Sequence, residues 1–349
     1  MHSNLYSYLQ RNSAHAYSYE IASDLGISEG ELVKSRLSHD TLLLDAGDIK
    51  TFISDLEALG EVKTVTRNHY AISVLTGEYK NQYLYGYKSM DISAQAGLIL
   101  NPGALDLRIF FRHWAHIFYI QDNTRGDSLQ IFDTEGNALH KIYTTPATHL
   151  SQLDKLVKKY QTSHSDIRFV SPSPLSPRLS AQYNADIDQA WRNMKDVHDF
   201  YLLMHKYQLE RLALLKSVKH DLARQVDNGI VQRVFENSKQ MKGEIVIFVA
   251  NKGCVQIFTG IPDKIISKNN WLNILNNGFR LHVVHDSIDS CWVVKKPCDC
   301  GEVNSVEAYA ADGTLILQIY GQRQEGQPES ALWRQIIAHS SSGREDCCP

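Results

Sequence analysis

Short runs rich in Val, Ile, Phe and Tyr alternate with turn signals along most of the chain. IVIFVA (Ile245–Ala250) and LQIYGQR (Leu317–Arg323) are of strand size. DTEGN (Asp133–Asn137) and AADGT (Ala310–Thr314) carry the acid-plus-glycine chemistry of hairpin turns. Helical patterning is predicted over LSQLDKLVKKYQ (Leu150–Gln161), over ESALWRQIIAH (Glu329–His339), and from Asn184 to about Tyr207. The last stretch has an N-cap candidate in Asn184, acids for a first turn in Asp186 and Asp188, and no Gly or Pro, so one continuous helix is expected. On such a helix His198 and His205, seven residues apart, share a face with Met194, Tyr201 and Leu202. Phe200 to Met204 is an unbroken apolar run, which predicts burial on more than one side. A buried imidazole needs a hydrogen-bond partner or a metal, and the helix by itself favours the hydrogen bond.

The pattern repeats. RNHYAISVLTG (Arg67–Gly77) matches ANKGCVQIFTG (Ala250–Gly260), LNPG (Leu100–Gly103) matches LNNG (Leu275–Gly278), and IFDTEGNALHKIY (Ile131–Tyr143) matches AYAADGTLILQIY (Ala308–Tyr320). The matches keep their order at nearly one offset, far longer than a solenoid period, so each copy is a domain. Strands flanked by helices in each copy predict an α+β fold of two tandem repeats, each a mainly antiparallel sheet flanked by helices. The expected division is a first repeat over 1–170, a Pro/Ser linker over 171–183, and a second repeat over 184–349.

Composition narrows the function classes. The chain has 349 residues, 43% of them hydrophobic, and a formal net charge of −3. That charge argues against a general nucleic-acid binder. The longest apolar runs are too short to span a bilayer, and no signal peptide is visible, so a cytoplasmic protein with free thiols is expected. SYEIASDLGISEGELVKSRL (Ser18–Leu37) has the look of a helix-turn-helix, but Glu29 and Glu31 offset Lys34 and Arg36, which predicts a structural αα-turn rather than a DNA reader. The cysteine patterns Cys298-Asp299-Cys300 and Cys347-Cys348-Pro349 are weak thiolate metal motifs. The pairs His113/His116 and His282/His285 have odd spacings in strand-like runs and are discounted as chelates.

The end of the second copy is richer in chemistry. Gln318 and Tyr320 fall on one strand face with Arg323 just beyond, Lys295 and Lys296 lie on another strand, and Arg211 follows the opening helix. In the first copy Tyr143 matches Tyr320, but Lys141 stands in place of Gln318 and the GQR is absent. Together with a buried histidine, these groups suit an acidic, largely apolar ligand.

DVHDFYLLMHKYQLER, NKGCVQIFTG, LILNPGALDLR, WLNILN and QIYGQR resemble the cytoplasmic haem-utilisation, or hemin-degrading factor, family (HemS/ChuS type) of bacterial haem-uptake systems. The likeness runs over about residues 5 to 340. It implies one haem held between two α+β halves. His198 matches the axial iron ligand and Arg108 the distal arginine, while Arg211, Lys296, Gln318, Tyr320 and Arg323 match residues around the haem edge and its propionates. His205 has no assigned role. Gly103 and the cysteine-rich tail depart from the family pattern. The resemblance implies either a haem-degrading enzyme of oxygenase type, needing an electron donor and dioxygen, or a carrier that passes haem from an uptake transporter to a separate haem oxygenase. Both belong to iron acquisition and iron transport. Phe200, Leu202 and Leu203 are expected to extend the apolar wall of the site, with a hydrogen-bond acceptor fixing the second nitrogen of the ligand imidazole.

Overall fold

The computed structural model describes residues 18–37, 39–85, 96–163, 167–171, 182–324 and 326–341. Cys347, Cys348 and all but the ends of the 171–183 linker lie outside the described residues. The chain divides into two compact units. One comprises Met1–Arg67, Ser73–Pro174 and Ala250–Gln256; the other comprises Asn68–Ile72, Leu175–Val249 and Ile257–Pro349.

The first repeat opens with the helices α1 (Ser18–Asp24), α2 (Glu29–Lys34) and α3 (Ile49–Asp55). Its strands are β1 (Thr41–Leu44), β2 (Gly60–Arg67), β3 (Ala71–Gly77), β4 (Gln82–Tyr83), β5 (Ala96–Ile99), β6 (Asp106–Phe110), β7 (His116–Ile120), β8 (Ser128–Phe132) and β9 (Ala138–Thr148), and α4 (Leu150–Tyr160) closes it. The second repeat opens with α5 (Ala185–Arg192), α6 (Asp199–Tyr207) and α7 (Arg211–Lys216). It continues through β10 (Ala223–Val226), α8 (Ile230–Met241), β11 (Ile245–Ala250), β12 (Cys254–Gly260), β13 (Lys264–Lys268), β14 (Trp271–Asn276), β15 (Phe279–Val284), β16 (Ser290–Cys298), β17 (Gly301–Tyr309) and β18 (Leu315–Gly321), and closes with α9 (Ala331–Ser341). The sheet order β1-β7-β8-β9-β2-β3 of the first repeat recurs as β10-β16-β17-β18-β11-β12 in the second. Each repeat also has a short antiparallel meander, β4-β5-β6 or β13-β14-β15. The α+β tandem-repeat expectation holds.

The strands form for local reasons. β2 alternates buried and half-buried positions along its whole length, the signature of a strand with one covered face. The DTEGN turn closes because Asp133 Oδ1 accepts from the backbone of Glu135 and Asn137 while Gly136 takes a φ of +85° that a side chain would resist. A register shift falls between Ile131 and Phe132 in the β8–β9 pair, and between Ala308 and Tyr309 in the β17–β18 pair, at matched positions of the two copies.

The αα-turn of Ser18–Leu37 is present, with Ser28 capping α2 in a capping box with Glu31. Its second helix is a docked element. Glu29 is buried and paired with Lys141, and a Cβ on Gly30 would meet Phe169 at 2.6 Å and the Gly136 backbone at 2.8 Å. Its face is therefore occupied by the unit's own β8–β9 turn rather than offered to a duplex.

The predicted continuous helix over Asn184–Tyr207 is interrupted. α5 ends at Arg192 and α6 begins at Asp199. The cause is the KDVHD segment. Asp199 Oδ2 accepts from the backbone N–H of Lys195 (2.9 Å) and Asp196 (3.0 Å), and Asp196 Oδ1 accepts from that of His198 (2.8 Å). Short acidic side chains thus satisfy the backbone donors locally and displace the helical ladder. The strand-like reading of HWAHIFYI is also corrected at its start, since His113 ends a 3-10 turn (Phe111–His113) and only His116 enters β7.

Candidate functional site

His198 occupies the N-cap position of α6, not the middle of a helix. Its Nδ1 donates to Asp196 Oδ1 at 2.5 Å. In the neutral imidazole that bond selects the tautomer in which Nε2 carries the free lone pair, the form that ligates a metal. Burial alone would raise the Asp196 carboxyl. The backbone and side-chain bonds from His198, with the positive charge of Arg323, hold it below its ordinary value. The imidazole is 34% exposed, so a ligand can reach it. One turn on, Tyr201 (36%) and Leu202 (59%) are exposed hydrophobics beside it on α6.

Phe200 and Leu203 are not part of that exposed wall. Both are buried in the second repeat's core with Trp191, Met194, Leu214, Trp292 and Tyr309. The Phe200 ring stands edge-on to Trp191, with centroids 4.8 Å apart. It also carries Arg211 at 4.5 Å and Lys296 at 4.8 Å over its face. Phe200 therefore connects the start of α6 to the cationic groups. His205 sits exposed in the last turn of α6 with its ring 4.3 Å from that of Tyr201, the helix-end placement expected of it.

Four of the predicted edge residues come together around one that sequence reasoning missed, Glu307 on β17. Arg211 meets it in a two-pronged ion pair, Nε to Oε2 at 2.7 Å and Nη2 to Oε1 at 2.5 Å. Tyr309 donates to it at 2.6 Å, Ser305 at 2.9 Å and Gln318 at 3.0 Å, while Lys296 Nζ stands 3.7 Å away. Lys296 also donates to the Tyr320 hydroxyl at 2.8 Å, and Gln318 to the same hydroxyl at 3.2 Å. Burial pushes the Glu307 carboxyl up, but Arg211, Lys296 and the hydrogen bonds overcome it and hold the group well below the usual carboxylate range. The cluster holds two cations against one carboxylate. That leaves one net positive charge to meet an anionic ligand. Glu307 had a signal in the sequence: it is the lone acid in the apolar run SVEAYA (Ser305–Ala310).

Arg323 lies outside this network, with Nη1 at 3.9 Å from Cys300 Sγ. Cys298 and Cys300 are joined by a disulfide across the β16–β17 turn, which corrects the expectation of free thiols there; Cys254 and Cys291 are free and buried. Arg108 is on β6 in the first unit, opposite Leu98 of β5, and Asp106 precedes it on the same face. Burial pushes the Asp106 carboxyl up to about 6 against the opposing pull of Arg108.

The pattern of the haemin-degrading HemS.ChuX domain matches residues 26–160 and again 208–340. The chain belongs to the haemin-degrading HemS.ChuX family. It is 41% identical over 347 residues to the hemin transport protein HmuS of Yersinia pestis, covering 97% of each chain. Among solved HemS-type structures, it resembles the Escherichia coli O157:H7 heme-degrading enzyme ChuS at 39% identity, with 97% of this chain and 98% of that one covered and a TM-score of 0.86. It also resembles the holo form of PhuS, a heme-binding protein from Pseudomonas aeruginosa, at 30% identity, 97% and 98% coverage and a TM-score of 0.89. No helix among the described residues of this HemS-family chain is long and apolar enough to cross a membrane.

Proposed function

We propose that this chain receives imported haem in the cytoplasm and opens its ring, releasing iron, in a reaction that draws on dioxygen and an external electron donor. The observation that carries the reading is the His198–Asp196 pair, which presents an oriented, solvent-accessible imidazole as the iron ligand. Tyr201 and Leu202 supply apolar surface for a porphyrin edge. Arg211, Lys296, Gln318 and Tyr320 form a donor cluster with an excess positive charge suited to a propionate, and Arg323 beside Cys300 adds a further cation. In this reading Arg108 is the catalytic residue, and its guanidinium would stabilise negative charge that develops as the ring opens.

A carrier that passes haem from an uptake transporter to a separate haem oxygenase would use the same ligands, and the exposure of His198 suits such a hand-over. Hemin-loaded protein given reductant and dioxygen with catalase present separates the two. The enzyme reading expects Soret bleaching in wild type and, in Arg108→Ala, hemin binding retained with bleaching slowed by about a hundredfold, the usual effect of deleting a preorganised donor. No bleaching in either protein points to the carrier. Equal bleaching in both removes Arg108 from the reaction.

A further inference from the structure

We propose that Cys298 and Cys300 form a reversible dithiol–disulfide site, addressed by low-molecular-weight thiols, whose state sets the position of the His198 loop. The coupling to haem rests on the reading of His198 given above; the thiol chemistry does not.

The disulfide joins positions two residues apart at the tip of the β16–β17 hairpin. Cys298 pairs with Gly301 in the ladder, so Asp299 and Cys300 are the whole turn, and Gly301 takes a φ of +114° that favours glycine. The ladder ends at this rung, so Asp299 and Cys300 lie outside it and the disulfide ties them back to β16. So small a ring constrains the unfolded chain least of all, and stability alone gives little reason for the bond. Cys298 and Cys300 are partly exposed, unlike the buried free thiols Cys254 and Cys291. Arg323 Nη1 lies against Cys300 Sγ, and a guanidinium there stabilises a thiolate. Cys300 is therefore the better leaving group.

The exchange balances as follows. A thiolate of the glutathione class attacks Cys298 Sγ, the Cys298–Cys300 bond breaks, and its electron pair leaves on Cys300. A second small thiol then attacks the mixed disulfide and frees Cys298. Two small thiols become one small disulfide, and the protein pair gains two electrons and two protons.

The turn is wired to the iron ligand by two contacts inside the second unit. The Asp299 backbone N–H donates to the Lys195 carbonyl at 2.7 Å, directly before Asp196. Asp196 in turn holds His198 Nδ1. Opening the disulfide frees the turn to swivel, loosens the Asp299–Lys195 tether and alters the acceptor that orients the imidazole.

The full chain carrying Cys347→Ser and Cys348→Ser, so that the tail thiols do not interfere, is equilibrated in glutathione redox buffers. Free thiols are trapped with a maleimide and counted by peptide mass. In the same haem-free samples the His198 imidazole nitrogen shifts are read by NMR, and hemin release to an apoglobin acceptor is timed after loading. The expected result is a two-electron transition of the Cys298–Cys300 peptide, a His198 shift that follows it, and release roughly tenfold faster when reduced, the low end of what losing an outer partner costs a metal site. Asp299→Pro removes the N–H donor at a turn position that accepts proline, keeps both cysteines, and should leave the His198 shift indifferent to redox state. A peptide that carries free thiols in every buffer, or a His198 shift unmoved by the transition, overturns the proposal. A His198 shift that moves while release does not would overturn the ligand role of His198 and leave the redox coupling standing.

Discussion

In the proposed reading Asp196 is to His198 what an outer partner is to a metal-ligating imidazole: it selects the tautomer and aims the ring. Asp196→Ala should therefore keep the fold and weaken hemin binding by about ten- to a hundredfold, measured by absorbance titration. A second residue-scale expectation concerns acid. His140 is fully buried between Thr66 Oγ1 (2.9 Å) and the Tyr79 hydroxyl (2.7 Å), and burial pushes its pKa down to about 3. Between the ordinary histidine value and about 3, the unfolded chain binds the proton and the folded one does not, so stability falls as pH drops through that window. The loss from pH 7 to pH 5 should be about 2 kcal/mol, and His140→Gln should flatten that part of the urea-unfolding profile. At this scale the sequence was only partly legible. Seven-residue spacing could not separate His198 from His205, because the separating fact is a pair of local carboxylate bonds. The duplicated asparagines fared better. Asn68 and Asn251 occupy matched places and do the same thing, each accepting two backbone N–H groups of its own turn and donating to two carbonyls elsewhere in its unit.

The KDVHD break, the β16–β17 hairpin and the β17–β18 pair are the elements that build the site. The break was missed because its segment has no Gly or Pro; the signal was the three aspartate-to-backbone bonds available to a sequence with acids at Asp196 and Asp199. The hairpins were legible from their turn chemistry and alternation. Their register was not, and it is register that sets Glu307 opposite Gln318 and Ser305 opposite Tyr320. Glu307→Gln should strip the buried carboxylate from Arg211 and Lys296 and cost roughly 3–5 kcal/mol of unfolding free energy, the range found when one partner of a buried pair is removed. A loss below 1 kcal/mol in urea unfolding would show that the cluster's cations are held by solvent rather than by Glu307. The first repeat makes a different choice at the matched places. Gln130 faces Lys141 across β8 and β9, and Lys141 reaches to Glu29 on α2, so its cation is spent inside the unit.

Over the whole molecule, the duplication was legible in three short matches and reappears as one strand order written twice. The reciprocal assignment of Asn68–Ile72 to the second unit and Ala250–Gln256 to the first was not legible, because local pattern says nothing about which unit a hairpin tip joins. The repeats are alike in fold and unlike in chemistry: only the second has the His198–Asp196 pair and the Glu307 cluster. On the proposed reading, one tight haem per chain is predicted, bound through the second repeat. A hemin titration of wild type, His198→Ala and His205→Ala, followed by the Soret band, tests this most directly. The account predicts an endpoint at one hemin per chain, a Soret band markedly shifted in His198→Ala and nearly unchanged in His205→Ala. A clear endpoint at two, or a Soret band that follows His205 instead, would contradict it.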